Sequence, residues 1–282
     1  MEYDPVKDRL QALVGRNRLA RRLFFSILDR IFLRSRYVRR EIERLKREAF
    51  HPEQILDAGS GFGQYTFRLS RVFPQAKIMG LDVRPDLVQS SNEFWRGVGG
   101  GDGDRIRFEV GNLLELPYES RFDLVLSVDV MEHIEADELV FRNMGRSLKP
   151  GGLFIMTTPY YDVSDGNSKS DQPYVDEHVR PGYSRSELTQ KLAQGGMIIE
   201  KFVITYGAYG NVAWTLLQKW PMRWLSQSKW LIPLVALYLI PAYALSWLFM
   251  RLDMAAKNQR GGGILAVARK QGTENRERGA ER

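Results

Sequence analysis

One short segment constrains the fold of this chain more than any other, because an apolar run ends in an acid and then turns through three glycines. The segment is ILDAGSGFG at residues 55–63, and it continues into a stretch with helical spacing. At such a strand–loop–helix junction the glycines let the backbone pass close to a ligand, and Asp57 can accept hydrogen bonds. Nicotinamide- and flavin-binding folds use similar loops, so the segment alone leaves the ligand open.

Strand-like and helix-like segments alternate from this junction onward. Strands are predicted near residues 54–58, 77–83, 106–111, 122–128, 152–158, 197–205 and 264–268, and helices near 64–72, 85–96, 136–147 and 184–194. Several strands are continuous apolar runs, as expected when helices cover both faces of a sheet. The pattern predicts an α/β fold with a doubly wound, mostly parallel, seven-stranded sheet.

Composition narrows the class of protein. Of the 282 residues, 44% are hydrophobic and 27% are charged, as in globular proteins. The chain contains no cysteine, which excludes disulfides, thiolate catalysis and cysteine-ligated metal sites. The first residues lack the basic start and apolar core of a signal peptide, so we expect the protein on the cytoplasmic side.

Five separated segments follow one another in a specific order. They are the glycine junction, Asp82 at the end of the second strand, GNLLELP at 111–117, the stretch 122–134 ending in MEHI, and LKPGG at 148–152. In this order they resemble the class I S-adenosylmethionine-dependent methyltransferases, most closely the branch that acts on small molecules and lipid-like quinone precursors. The resemblance covers roughly residues 52–206 and 261–270.

The resemblance implies S-adenosylmethionine as cofactor and assigns its contacts by position. Asp57, Gly59, Gly61 and Gly63 would surround the methionine portion, Asp82 would hold the ribose, Asn112 and Leu113 would meet the adenine, and Asp129 would face the amino-acid end or the substrate. Asn112 stands where the family usually places an aspartate, so we expect some effect on affinity and no loss of the site. A nicotinamide-binding protein, the main rival on this fold, would more often space its glycines G-x-G-x-x-G.

Histidine is the usual base for methylation of a hydroxyl or carbon acceptor. His133 follows the fourth strand, and His178 lies in a polar loop at residues 160–182 that has the length of a lid. Both are candidate catalytic residues, although a Glu-His pair after the fourth strand is often structural in related enzymes. Arg180, as an anchor for an anionic group, and Tyr160 are candidate substrate-binding residues. No clear ligand set for a metal ion is present.

The acceptor is constrained only in part. The stretch TTPY at 157–160 stands where enzymes that methylate amino groups of bases or glutamine carry Asn-Pro-Pro-Tyr, which favours an oxygen or carbon acceptor. Residues 17–48 show a basic amphipathic helical pattern, typical of a helix on a membrane surface or packed against its own domain. Because its basic residues alternate with large aliphatic ones, a nucleic-acid partner is not expected.

An apolar insert separates the last two predicted strands. Residues 231–250 contain no charged side chain and are long enough to span a bilayer. If the strands at 197–205 and 264–268 pair, the insert must enter and leave on one side of any membrane. Cations flank it on both sides, so we expect a re-entrant or interfacial hairpin on an anionic membrane surface. The alternative is a buried helical cap or a homodimer interface in a soluble protein.

These patterns divide the chain into four parts. They are a basic helical extension at 1–50, a methyltransferase domain at 51–206 and 261–270, the apolar insert at 207–260, and a tail at 271–282 that is predicted to be disordered. The predicted function is methyl transfer from S-adenosylmethionine to a hydrophobic or membrane-held small molecule. The alternatives are a soluble methyltransferase of a polar metabolite, and a non-catalytic membrane-associated module that keeps the cofactor fold.

Overall fold

The computed structural model describes residues 18–98, 105–161 and 179–272. The helices are α1 (Arg18–Ile31), α2 (Leu33–Arg47), α3 (Gln64–Val72), α4 (Pro85–Val98), α5 (Asp137–Ser147), α6 (Arg185–Gln194), α7 (Ala208–Trp214), α8 (Trp220–Gln227) and α9 (Ile232–Ala255). The strands are β1 (Gln54–Ala58), β2 (Lys77–Asp82), β3 (Ile106–Val110), β4 (Phe122–Val128), β5 (Leu148–Pro159), β6 (Met197–Thr205) and β7 (Gly263–Lys270). Short 3-10 turns occur at Leu113–Glu115, Met131–His133 and Lys229–Leu231, and a π turn occurs at Thr215–Lys219.

The strands form one sheet in the order β3-β2-β1-β4-β5-β7-β6. The contacts among β1 to β5 are parallel, whereas β7 runs antiparallel to both β5 and β6. The predicted fold class, a doubly wound and mostly parallel seven-stranded sheet with an apolar helix before the last strand, is therefore confirmed. In such a sheet, ligands bind where the carboxyl ends of the parallel strands meet.

Alternate residues of the central strands supply the cores on the two faces of the sheet. Ile55 and Leu124 are opposite each other and face the layer that contains α1 to α4. Leu56 and Val125, one position further along, face the layer that contains α5 and α6. Since side chains of a strand alternate between faces, an unbroken apolar run fills both layers and fixes the register of the sheet.

The N-terminal pattern predicted as helical at 17–48 forms two helices, and residue 17 lies outside the described part. The helices are separated at Phe32, whose backbone is extended with φ −94° and ψ 121°. The backbone N–H of Arg34, in the first turn of α2, donates to the hydroxyl of Tyr206 at 3.2 Å. Tyr206, far along the chain, thus accepts the hydrogen bond of an N–H in the first turn of α2. In one continuous helix this N–H would instead bond to a carbonyl of the preceding turn.

The insert leaves and rejoins the sheet at its carboxyl edge. Thr205, the last residue of β6, is opposite Gly263, which is also opposite Pro159 at the end of β5. Between them, α7 and α8 run outward and α9 returns. The hydroxyl of Tyr238 donates to the carbonyl of Leu216 at 3.0 Å, which joins the two arms as a helical hairpin.

Candidate active site

The glycine-rich loop after β1 has the backbone that its sequence predicts. Gly59, Gly61 and Gly63 have φ values of +74°, +53° and +83°, in the left-handed region that favours glycine. The N–H of Gly59 donates to the carbonyl of Leu81 at 2.8 Å, which holds the loop against β2. A Cβ added at Gly59 would lie 2.4 Å from a methyl carbon of Val130, whereas one at Gly61 would meet no atom within 4 Å. The open space is therefore above Gly61.

Asp82 lies at the end of β2 beside this space. Its Oδ2 accepts the N–H of Gly61 at 2.7 Å, and its Oδ1 accepts the N–H of Arg84 at 3.0 Å. Two carboxylate oxygens can accept about four hydrogen bonds, so capacity remains for two hydroxyl groups of a ligand. This geometry fits the ribose-binding role that the sequence predicts for Asp82.

Asp57 is buried beneath the loop and joins β1 to α3. The hydroxyl of Thr66 donates to its Oδ2 at 2.6 Å. Burial raises the pKa of Asp57 to about 7, an effect that the Thr66 bonds oppose and the nearby Asp82 reinforces. Asp57 thus fixes the start of the glycine loop, and its predicted contact with the methionine portion stays a prediction.

The predicted adenine contacts lie in the loop after β3. Asn112 is exposed, and its Oδ1 accepts the N–H of Leu114 at 3.0 Å, so it caps the 3-10 turn that follows. Leu113 is buried, and the amide of Asn143 in α5 donates to its carbonyl at 3.0 Å. The loop is therefore held from two directions. Together with the space above Gly61 and the free capacity of Asp82, it fits an adenosine-containing cofactor.

Asp129 forms the opposite side of the cleft, directly after β4. Its φ of +52° is in the left-handed region, a strained conformation for a residue with a side chain. Its Oδ1 accepts the hydroxyl of Thr157 at 2.7 Å, and its Oδ2 forms an ion pair with Arg34 from α2. Because Arg34 also donates its N–H to Tyr206, three separate segments of the chain meet at Asp129.

Glu132, in the turn after β4, is buried behind Asp129. Its Oε2 accepts the hydroxyl of Thr158 at 3.2 Å. Burial, and then the charge of Asp129, raise the pKa of Glu132 to about 8, so this carboxyl keeps its proton at neutral pH. His133 follows at the same edge and is half-buried.

The raised pKa of Glu132 predicts how stability changes with pH. The folded protein holds a proton that the unfolded chain releases near pH 4.5, so the stability contributed by protonated Glu132 is complete below that pH and is lost as the pH rises through about 8. Glu132→Gln keeps a neutral group there. We expect its melting temperature to improve relative to wild type between pH 6 and 9, as measured by thermal denaturation. Glu135→Gln, at an exposed position three residues further on, is the control, and parallel profiles for wild type and Glu132→Gln would contradict the assignment.

Helix α1 is fastened to the glycine loop by a buried arginine. The guanidinium of Arg21 donates to the carbonyls of Phe62 at 2.7 Å and Ser90 at 2.8 Å, and to the hydroxyl of Ser91 at 3.0 Å. It also lies 4.9 Å from the centre of the Phe94 ring. Burial lowers the pKa of Arg21 to about 10, an effect that Glu93 partly offsets, so the side chain stays charged at neutral pH.

A second set of contacts joins the N-terminal helices to the start of α3. The amide of Gln64 donates to Asp29 at 2.8 Å, and the hydroxyls of Tyr65 and Ser35 are 3.1 Å apart. Sequence reasoning missed these contacts and those of Arg21 and Arg34, because nothing local separates them from the other polar residues of a basic helix. Helices α1 and α2 thus form one wall of the cleft.

The predicted lid region is described only at its ends. His178 lies outside the described residues. Arg180 forms an ion pair with Asp137 at 2.8 Å, donates to the carbonyl of Ile134 at 3.1 Å, and stacks 5.1 Å from the centre of the Tyr183 ring. These contacts fasten the lid's end to α5, and the predicted role of Arg180 as a substrate anchor stays a prediction.

Tyr160 lies directly after β5 at the carboxyl edge, where a bridge pairs it with Tyr183. Its ring is 5.9 Å from that of Phe202, in an edge-to-face arrangement. The structure therefore brings Tyr160 to the edge that carries Asp129 and Glu132. Its predicted contact with a substrate stays a prediction.

The fold, the glycine loop and Asp82 are those of the class I S-adenosylmethionine-dependent methyltransferases. The sequence model described as "Methyltransferase domain" matches residues 51–198, which is more than half of the chain. The chain therefore belongs to the methyltransferase domain family, and S-adenosylmethionine is its cofactor.

Characterised relatives match only part of the chain. They include ajmaline N-methyltransferase of Rauvolfia serpentina (26% identical, over 46% of this chain and 44% of that protein) and malonyl-acyl-carrier-protein O-methyltransferase of Nitrosospira multiformis (31%, over 42% and 43%). Demethylmenaquinone methyltransferase of Deinococcus radiodurans is 29% identical, over 48% of this chain and 57% of that protein. The chain thus spans about half the length of these relatives.

Solved structures share the fold across more of the chain. Geranyl diphosphate C-methyltransferase from Streptomyces coelicolor A3(2) is 15% identical with a TM-score of 0.56, over 82% of this chain and 79% of that one. The cyclase SpnF is 18% identical with a TM-score of 0.58, over 83% and 80%. A protein described as a cyclase shares this fold, so the likeness shows the fold alone.

Proposed function

We propose that the protein transfers a methyl group from S-adenosylmethionine to an oxygen or carbon atom of a hydrophobic, membrane-held small molecule. The observation that carries the proposal is the position of the insert. Its helices leave the sheet between Thr205 and Gly263, at the same edge as the glycine loop and Asp129. An apolar acceptor can then reach the cleft along apolar helices without crossing water.

Residues on two sides of the cleft support this chemistry. When bound, the cofactor supplies a methyl group activated by a sulfonium. The glycine loop, with Asp82 and Asn112, would hold it from one side, while Asp129 lies on the other. Arg34 balances the charge of Asp129, so an apolar acceptor does not face an isolated carboxylate.

The wall formed by α1 and α2 supports exclusion of water from the transfer. Methyl transfer between two bound molecules depends on their alignment in a dry site. The N–H of Arg34 is bonded to the hydroxyl of Tyr206, which comes one residue after β6 and two before α7. This wall of the cleft is thereby joined to the segment that leads into the insert.

The test is transfer of labelled methyl from S-adenosylmethionine to extracts separated by polarity. We expect label in the lipid- and quinone-containing fraction, a stimulation by vesicles, and at least a tenfold loss in Arg34→Ala, which leaves Asp129 unpaired. Arg39→Ala removes an arginine from the same helix whose ion pair, among the described residues, is with Glu43, and is the matched control.

Other outcomes select among the alternatives. Label confined to polar metabolites would favour a soluble methyltransferase whose insert forms a dimer. Binding of the cofactor without transfer to any extract would favour a non-catalytic module that keeps the fold. Either result would overturn the proposed function.

A further inference from the structure

Helix α9 carries an unusually exposed apolar surface. Among the described residues it is the one helix whose length and composition suit a membrane span. The exposed large side chains on it, called here the α9 face, are Ile232, Leu234, Leu237, Ile240, Leu245, Trp247, Leu248 and Leu252. Ile240 at the centre is 70% exposed. An apolar patch of this extent on a protein surface marks an interaction site.

The opposite side of α9 packs on the protein. Val235, Ala242, Ser246 and Asp253 are buried there. At 100° per residue, the α9 face beyond Ile232 covers an arc of roughly 160° of the helix. The helix is therefore half in contact with the protein and half apolar toward the outside.

A second apolar stripe lies on α1. Leu19, Leu23 and Ile27 recur every four residues, so they line one side of the helix, and Leu19 is 76% exposed. Arg22 and Arg30 are exposed on the same helix. This α1 stripe thus combines apolar and cationic side chains, as helices that lie on anionic lipid do.

Arg36 joins the end of α1 to the middle of α9. Its guanidinium donates to the carbonyl of Arg30 at 2.8 Å and lies close enough to Tyr243 for the two side chains to interact electrostatically. The carbonyl that it binds is the last-turn carbonyl of the helix that carries the α1 stripe. The contact therefore places the end of the helix that carries the α1 stripe beside the middle of α9.

Charge distribution distinguishes a lipid surface from a protein partner. The α9 face has no charged residue between Ile232 and Met250, while cations stand on aromatic rings near the end of α9 and in the outward arm of the hairpin. Arg251 lies 4.8 Å from the centre of the Trp247 ring, and Lys219 lies 5.9 Å from that of Trp214. Trp230, at the turn of the hairpin, is 93% exposed. Apolar surface edged by tryptophan and cations matches the layers of an anionic bilayer.

We propose that the α9 face and the α1 stripe dock together onto an anionic lipid bilayer, with the hairpin entering one leaflet and returning to the same side. The lipid contacts come from the exposed apolar side chains of these two surfaces, and the flanking cations meet the lipid phosphates.

Contacts at the base of the hairpin hold it to the catalytic domain, so the hairpin cannot cross a bilayer independently of that domain. Asp253, near the end of α9, is buried and accepts the hydroxyl of Tyr37 at 2.9 Å and the N–H of Gly210 at 3.0 Å. This carboxylate therefore ties α2, α7 and α9 together. Since Thr205 and Gly263 also pair in the sheet, both ends of the insert remain with the catalytic domain.

Docking deepens the proposed function, because it names the surface from which the acceptor would come. Only this supply of the acceptor rests on the proposed function. Flotation reports docking without any turnover. Protein that floats with vesicles but methylates no lipid would support docking and contradict the proposed function. Protein that methylates a lipid but does not float would support the function and contradict docking.

The experiment is flotation of the full chain with vesicles of phosphatidylcholine alone or with a third phosphatidylglycerol. We expect the wild type to float with the anionic vesicles, and Ile240→Glu with Leu237→Glu to reduce the bound fraction at least tenfold. Ile198→Glu is the matched control, because this isoleucine is 54% exposed on β6, away from both apolar surfaces. Calorimetric binding of S-adenosylmethionine should be unchanged in all variants, which shows that they are folded.

Two results would overturn the proposal. The first is wild-type protein that stays in solution as a dimer and is split by Ile240→Glu, which would assign the face to a second copy. The second is binding of the wild type to both kinds of vesicle, with a bound fraction that Ile240→Glu and Leu237→Glu leave unchanged.

A separate experiment tests whether the hairpin stays on one side of the bilayer. Because the chain contains no native cysteine, a thiol reagent labels just the cysteine that is introduced. Gln227→Cys places a thiol at the exposed end of α8, near the turn of the hairpin, and Gln89→Cys places one on the exposed side of α4. With an impermeant thiol reagent trapped inside the vesicles, we expect neither variant to be labelled until detergent is added. Labelling of Gln227→Cys from inside would show that the hairpin crosses.

Discussion

Replacement of Asp82 by alanine is expected to abolish measurable binding of S-adenosylmethionine. The carboxylate would lose two hydrogen bonds to ribose hydroxyls, each worth about 1.5–3 kcal/mol because the acceptor is charged, so affinity should fall on the order of a hundredfold to ten-thousandfold. The substitution would also release the N–H of Gly61, which the Asp82 carboxylate holds at 2.7 Å, and so loosen the glycine loop. Titration calorimetry on both proteins measures the effect.

Asp86→Ala is the matched control for this substitution. Asp86 lies four residues further on, is exposed, and pairs with Arg84 at 2.5 Å. Its loss removes a carboxylate close to the site without touching the loop, so binding should change less than threefold. If Asp82→Ala, folded by circular dichroism, bound the cofactor as tightly as wild type, the assignment of the ribose site would be wrong.

Gly145→Ala is expected to cause the largest loss of stability. Gly145 lies in α5, where an added Cβ would stand 1.9 Å from the carbonyl oxygen of Gly195 at the end of α6. The obstacle is backbone, so no side-chain rotation relieves it, and the two helices must separate. Alanine gains about 1 kcal/mol of helix propensity, but overpacking of this kind costs more, and we expect a net loss of about 2–3 kcal/mol and a melting temperature lower by about 5–10 °C.

Gly272→Ala supplies the comparison, because a Cβ there would meet no atom within 4 Å. Its melting temperature should match that of wild type to within about 1 °C. Equal melting temperatures for Gly145→Ala and Gly272→Ala would mean that α5 and α6 are not packed as closely as the structure places them.

Local sequence was sufficient to predict the sheet and the cofactor loop. Apolar runs such as FDLVLSV define a buried parallel strand by themselves, and the observed β4 is Phe122–Val128 as predicted. Likewise, the glycines shape the loop through their own backbone conformation. Asp82 holds the same loop from the neighbouring strand. The glycines and Asp82 belong to the short segments that resemble the methyltransferase family, and that resemblance implied the cofactor.

The remaining parts of the site depend on partners that are distant in sequence. Arg34 pairs with Asp129, which lies 95 positions away, and its backbone is held by Tyr206, 172 positions away. The apolar pattern also continues through Ile31, Phe32 and Leu33, so it gave no sign that the helix breaks there. The N–H of Arg34 at the new helix start donates to Tyr206, an acceptor that only tertiary structure provides.

The pairing of Thr205 with Gly263 has a consequence for how freely the length of the insert can vary. The two attachment points are neighbours across one strand spacing of about 4.8 Å, so an excursion of any length begins and ends where a short hairpin turn would. The entropy of closing such an excursion grows only slowly with its length. Helices can therefore be added, lengthened or removed at this point by insertion and deletion alone, while the sheet keeps its strand order and its register.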